Sequence, residues 1–292
     1  MAITTDKELP RILVAGCGNL GGAIAASLAE DCTVFGLRRN ADRVPEGVHP
    51  VRADLLDGDQ LATALPDRLD IIVYCLTPSR YDETGYQNAF VDGLNNLIRA
   101  VEGSGVTRLF FISSSSVYAQ DDDSWVDETS PTRPARFSGE IILNGEEVAK
   151  AGPFPATVVR FSGIYGPSRK RFLQAVVSGE MDPASPAPFG NRIHEADAAA
   201  VVCHLTRRAL AGEPLEPCYL ASDCEPARLD AVVAWVRDQL PCKPPETDAR
   251  KGGRAGSKRC SNQRLLDSGF RFRYPDYRAG YGEMIEQYKQ QT

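Results

Sequence analysis

Three groups of residues in this 292-residue chain have types and spacings that could do chemistry. The first is Gly16-Cys17-Gly18-Asn19-Leu20-Gly21, in G-x-G-x-x-G spacing. Gly16 permits a tight turn, Gly18 lets backbone approach a pyrophosphate, and Gly21 lets a helix pack on the strand before it. Free N–H groups around Asn19 and Leu20, at the positive end of that helix, would hold the phosphates. The second group is Arg38-Arg39, two planar forks of donors suited to a phosphate monoester. A solvated basic turn is the plain alternative. The third is the hydroxyl-rich run Ser113-Ser114-Ser115-Ser116, which could contact a substrate or could simply be a polar strand end.

The elements that would position these groups follow from apolar patterning. Arg11–Ala15 has the composition of a buried parallel strand, and Leu20, Ile24 and Leu28 recur every four residues as in an amphipathic helix. Strand, glycine turn and helix in that order form a dinucleotide-binding fingerprint. Thr33–Leu37 reads as a second strand, so Arg38 and Arg39 fall where the adenine ribose would lie. An acid there would bind the 2′-hydroxyl of NAD, whereas arginines favour the 2′-phosphate of NADP. NADP is therefore the expected coenzyme, with NAD as the second choice. A third strand, Val48–Ala53, delivers Asp54 toward the adenine amino group and Leu55 toward the ring, while Asp57 is placed to cap the next helix. A fourth, Asp70–Thr77, brings Leu76 and Thr77 to the carboxyl edge of the sheet, where ligands bind in such folds. A helix over Tyr86–Val101 covers a sheet face and offers a surface for a homodimer. The strand Arg108–Tyr118 carries Ser113 to the same edge, and Ala156–Phe161 follows as a sixth strand. Strands alternating with helices predict an α/β fold, a doubly wound parallel (Rossmann) sheet over residues 1–167. Residues 168–292 read as a smaller, partly interleaved lobe that holds a small-molecule substrate.

Bulk properties narrow the classes. Hydrophobic content of 42% and charged content of 25% are ordinary for a globular chain. A net charge of −6 argues against sequence-independent nucleic-acid binding. The polar first ten residues and the lack of a long apolar run predict a cytoplasmic protein without a membrane partner. Eight scattered cysteines without a C-x-x-C pair read as free thiols, most of them buried, and the three histidines lack metal-ligand spacing.

These segments together resemble the extended short-chain dehydrogenase/reductase family, the NAD-dependent epimerase/dehydratase group. The resemblance is carried by Gly16–Gly21, Ser113–Tyr118, Val159-Arg-Phe-Ser-Gly-Ile-Tyr-Gly-Pro167, Arg192-Ile-His-Glu-Ala-Asp197 and Tyr219-Leu-Ala-Ser-Asp223. The glycine spacing differs from the family's commoner G-x-x-G-x-x-G, as in an atypical subgroup. The resemblance implies a seven-stranded sheet, a small C-terminal substrate lobe and, often, nucleotide-sugar substrates. It also implies a catalytic serine, which counting back from Tyr118 places at Ser114.

The family's Tyr-x-x-x-Lys is missing. Aligning Gly139 and Glu146 puts Ser138 at the tyrosine position and Ile142 at the lysine position; shifting by one gives Phe137 and Ile141. Neither register supplies an acid–base pair, whose help is typically worth about 10²–10⁴-fold in rate. Tyr118 is the nearest substitute acid, with a structural tyrosine beneath the site as its rival reading; Tyr165 stands likewise. Asp121-Asp122-Asp123 could offer a base but reads first as a solvated run. His194 and Asp197 read as structural, and Arg192 and the basic loop Arg250–Arg259 as phosphate grips or solvated charge. Two functions are weighed: an NADP-dependent oxidoreductase or epimerase/dehydratase-like enzyme, and a non-catalytic NADP(H) sensor. The full substrate lobe favours the enzyme.

Overall fold

The computed structural model describes residues 8–251 and 256–291. Seven strands form the central sheet: β1 (Arg11–Ala15), β2 (Thr33–Leu37), β3 (His49–Val51), β4 (Ile71–Tyr74), β5 (Arg108–Ser114), β6 (Ala156–Phe161) and β7 (Cys218–Ala221). Their order is β7-β6-β5-β4-β1-β2-β3, with parallel pairing from β5 through β4, β1 and β2 to β3. Ile12, Leu13 and Val14 of β1 and Ile72 and Val73 of β4 are fully buried, which is why these central strands are apolar on both faces. Ten helices accompany them among the described residues: α1 (Asn19–Leu28), α2 (Gly58–Ala64), α3 (Glu83–Gln87), α4 (Gly93–Ala100), α5 (Phe137–Ala151), α6 (Arg171–Val177), α7 (Glu195–Leu210), α8 (Leu229–Gln239), α9 (Gln263–Asp267) and α10 (Tyr277–Gln291).

The chain divides into two compact units. The first comprises Met1–Ile112, Asn144–Val158 and Val202–Pro217; the second comprises Ser113–Leu143, Val159–Val201 and Cys218–Thr292. In the first, the Asp57 carboxylate caps α2 by accepting the Gln60 N–H at 3.0 Å, as its position in the sequence leads one to expect. Arg207 of α7 pairs with Asp31 at 2.8 Å and donates to the Ser27 carbonyl at 2.9 Å, tying α7 to the end of α1.

Two expected elements are broken, each for a visible reason. The helix read over Tyr86–Val101 is α3 and α4 with a wide π turn, Asn88–Asp92, between them. The buried Tyr74 hydroxyl donates to the Ala89 carbonyl at 2.7 Å and claims an acceptor the helix would otherwise use. Gly93 makes room for that phenol, since a Cβ there would lie 3.0 Å from its oxygen. The strand read through Tyr118 stops at Ser114 and turns into a 3-10 segment, Ser115–Val117. Ser114 Oγ accepts the Ser116 N–H at 3.1 Å, the local bond that serines offer in place of a ladder.

The second unit has its own core. Leu173 and Val176 of α6, Val232 and Val236 of α8, and Tyr277, Tyr281 and Ile285 of α10 pack with Tyr165. Three two-stranded ribbons complete it: Gly163–Tyr165 with Arg192–His194, Phe189–Gly190 with Ala227–Arg228, and Trp125–Val126 with Arg259–Cys260.

Candidate functional site

In the first unit, the glycine turn has the geometry its spacing predicts. Gly16 has φ +92°, and a Cβ there would lie 2.2 Å from the Cys75 carbonyl oxygen. Only glycine fits both constraints. At Gly21 a Cβ would lie 2.3 Å from the Gly16 oxygen, so helix α1 can approach the turn only because that side chain is missing. Gly18 is different: nothing lies within 4 Å of its missing Cβ, and its backbone faces open space. Gly18 is the N-cap of α1 and supplies no capping side chain, so the first-turn N–H groups of Asn19, Leu20 and Gly21 lack intrahelical acceptors. An open, uncapped, positive helix end suits a pyrophosphate.

Arg38 follows β2 directly. Its Nη1 donates to the Cys17 carbonyl at 2.8 Å and to the Arg43 carbonyl at 3.1 Å. The guanidinium is thereby held against the glycine turn, half-buried, with its charge unneutralised by any carboxylate ion pair among the described residues. Arg39 is exposed. Cys17 is fully buried in the turn, and desolvation raises its thiol pKa despite the nearby Arg38 charge.

The adenine-side residues are placed unevenly. Asp54 is half-buried and its Oδ1 accepts the Leu56 N–H at 3.0 Å, which orients the carboxylate. Leu55 turns inward and is only 8% exposed, packing where Gly93 comes close, whereas Leu56 is the exposed leucine. Leu56 is therefore the apolar side chain open to a ring, and sequence reasoning passed it over. Leu76 is half-buried with its Cδ2 2.9 Å from the missing Gly16 Cβ, and Thr77 is exposed beside it.

In the second unit, Ser113 is buried and Ser114 half-buried at the end of β5. Ser114 Oγ accepts the Ser116 N–H, which leaves its own hydroxyl hydrogen able to donate. Tyr118 is 2% exposed; it accepts from Arg160 Nη1 at 2.7 Å and donates to the Asp127 carbonyl at 2.8 Å. Burial raises the phenol's pKa, and the facing Arg160 only partly opposes this. That is the geometry of a packing strut, not of a proton donor. Arg160 was missed in the sequence, although a charge inside the apolar run Ala156–Phe161 signals a buried partner.

Comparison with known proteins settles the family. The sequence profile described as the NAD dependent epimerase/dehydratase family matches residues 12–181. The chain belongs to the NAD-dependent epimerase/dehydratase family. A solved structure from Methylobacillus flagellatus, assigned to the same group, is 36% identical with a TM-score of 0.83, covering 97% of this chain and 100% of that one. Among curated relatives, a UDP-glucose 4-epimerase of Streptomyces lividans is 26% identical over 176 residues, 54% of this chain and 53% of that enzyme. The chain thus spans about half the length of that relative. A 3-diazoavenalumate denitrifying reductase of a Streptomyces species is 26% identical over 263 residues, 81% of this chain and 84% of that one.

Helix α5 carries the residues aligned with the expected Tyr-x-x-x-Lys position. It contains no tyrosine, and its one lysine, Lys150, lies in the last turn and pairs with Glu147 at 2.9 Å. Gly139 presses on the serine turn: a Cβ there would lie 2.6 Å from the Ser116 carbonyl oxygen. Beside it Ser138 is half-buried, and Ile142 is 6% exposed.

Other charged candidates in this unit are structural. Asp121 accepts the Ser257 N–H at 2.6 Å, Asp122 the Ser124 N–H at 3.2 Å, and Asp123 binds the Ser257 hydroxyl and Arg228. The run read as solvated is a set of loop clamps, and the hydrogen bonds to Ser257 and Arg228 hold the Asp123 pKa below its ordinary value. In the basic loop, Lys251 pairs with Asp182 at 2.9 Å and Arg259 donates to the Asp123 carbonyl at 2.8 Å, while residues 252–255 lie outside the described residues. Asp197 accepts the N–H groups of Arg273 and Tyr274 at 2.9 and 2.8 Å, and His194 Nδ1 accepts the Ala196 N–H at 3.2 Å. Six of the eight cysteines are buried, as expected. Among the described residues no cluster could hold a metal ion, and no helix is long and apolar enough to cross a membrane.

Proposed function

We propose that this family member is an NADP(H)-dependent oxidoreductase acting on a small hydroxyl or carbonyl compound, with nucleotide sugars within its substrate class. The observation that carries the NADP reading is Arg38, pinned by two backbone carbonyls beside the phosphate turn where NAD-selective folds place an acid. The uncapped N–H groups of α1 would hold the pyrophosphate, with Arg38 and Arg39 at the 2′-phosphate, Asp54 at adenine, and Leu76, Thr77 and Ser113 along the dinucleotide. The bound nicotinamide would supply or accept a hydride. Ser114 is the catalytic contact: its hydroxyl, which accepts the Ser116 N–H and keeps its own hydrogen to donate, would orient and polarise a substrate oxygen. Tyr118 holds the loop after the serine turn through Arg160 and Asp127. The relative aligned over most of its own length is a reductase, which favours a reduction over an epimerisation.

Arg38→Ala tests the coenzyme preference. The variant should bind NADPH at least about tenfold more weakly and NADH within about twofold of the parent, since a charge-assisted hydrogen bond is lost only with the 2′-phosphate. Equal losses for both coenzymes in equilibrium titrations would remove the preference for NADP.

A further inference from the structure

One face of the Gly163–Tyr165/Arg192–His194 ribbon carries polar side chains that the proposed function leaves unused. Arg192 and His194, two residues apart on a strand, point to the same face, and Tyr165 is the register partner of His194. Asp223 runs alongside, its N–H donating to the Arg192 carbonyl at 2.7 Å. Helix α10 covers this floor. The Arg192 guanidinium lies over the Tyr277 ring at 5.5 Å, and Tyr281 packs on Tyr165 at 4.5 Å. Gly280 admits the Tyr165 hydroxyl, for a Cβ there would lie 1.9 Å from its oxygen.

Asp223 is 0% exposed and Arg192 7%. Neither Asp223 carboxyl oxygen nor Arg192 Nη1 has a hydrogen-bond partner of normal geometry, and no ion pair joins the two. An unpaired buried carboxylate is costly, whereas the protonated acid is tolerable. We propose that Asp223 and Arg192 form a proton-operated latch on α10: the protonated acid leaves Arg192 seated on the Tyr277 ring, and loss of the proton draws the guanidinium onto the carboxylate and releases Tyr277.

The electrostatics around the pair agree. Burial pushes the Asp223 carboxyl up to about 8, opposed by the Arg192 charge and the nearby Glu225 N–H and reinforced by the Asp276 and Glu225 carboxylates. The other titratable groups that sense Asp223 are Tyr165, Tyr281, Cys224 and Cys260, all with raised pKa values and hence uncharged near neutrality. His194 is held neutral, its pKa lowered by burial against the pull of Glu195, Asp197 and Glu283. The folded chain keeps this proton from the ordinary value of 3.8 up to about 8, so the seated form prevails at neutral pH and is lost as pH climbs further. The latch needs no coenzyme, so it stands or falls separately from the NADP reading.

Trp235 reports on it directly, because its ring meets Tyr277 edge-on at 5.7 Å. The chain has two tryptophans, so in the Trp125→Phe protein the fluorescence is that of Trp235 alone. Titrated upward from neutral pH, that protein should show one transition with a midpoint near 8. Adding Asp223→Asn should abolish the transition and fix the low-pH signal. Adding Arg192→Gln instead removes the guanidinium that moves and should likewise leave the Trp235 signal without the transition; a transition that survives it would also count against the latch. A flat titration of the parent, or a transition that survives Asp223→Asn, would overturn the latch.

Discussion

Tyr118 shows how a residue's type and its surroundings can point in opposite directions. As a sequence it is a phenol beside a serine; in the fold its oxygen is spent between Arg160 and Asp127. Removing that oxygen leaves a half-buried carbonyl and a buried guanidinium short of one partner each, at a cost of about 1–3 kcal/mol. Tyr118→Phe should therefore lower the stability measured by urea unfolding while turnover per folded molecule stays within about twofold. A loss of the 10²–10⁴-fold that general acid catalysis typically contributes, at unchanged stability, would restore Tyr118 as the proton donor. The residues of the phosphate turn were legible because the φ of +92° at Gly16 and the 2.3 Å approach of a Cβ at Gly21 to the Gly16 oxygen are set within the motif, although the Cys75 carbonyl also excludes a side chain at Gly16. The roles of Tyr118 and Asp123 were not, because their partners Arg160, Arg228 and Ser257 lie 42 to 134 residues away.

Among elements, β1 and β4 were readable because burial on both faces leaves an uninterrupted apolar run. What periodicity could not show is the break between α3 and α4, since it is made by a hydroxyl from β4 reaching the Ala89 carbonyl. The end of β5 at Ser114 was hidden in the same way, by a side chain that satisfies the backbone locally. The seating of α1 on its turn offers a test at this scale. Gly21→Ala places a methyl group 2.3 Å from the Gly16 oxygen, so helix and turn must separate. The variant should lose stability and bind either nicotinamide coenzyme at least about tenfold more weakly, as backbone strain of order 1–3 kcal/mol is relieved by moving the N–H groups. Parent-like affinity by calorimetry would show that the turn does not hold the pyrophosphate.

For the whole molecule, alternation of strands and helices was enough to give the fold class but not the division of the chain. The expected boundary after Pro167 falls inside Val159–Val201 of the second unit, which begins at Ser113. Helices α5 and α7 each contribute residues to both units, Asn144–Val158 and Val202–Pro217 belonging to the first. A pattern of hydrophobic spacing says that a helix has a buried face; it does not say which core receives each half of it.

The claim on which the rest depends is that the uncapped turn at Gly16–Gly21 binds a nicotinamide dinucleotide. Unfolding of the intact protein with and without NADPH tests it most directly, because a ligand of the folded state stabilises it by mass action. At 100 times the dissociation constant NADPH should add about 2.7 kcal/mol to the unfolding free energy, with NADH at the same concentration adding less. Identical unfolding curves with and without either coenzyme, across the millimolar range, would contradict the account.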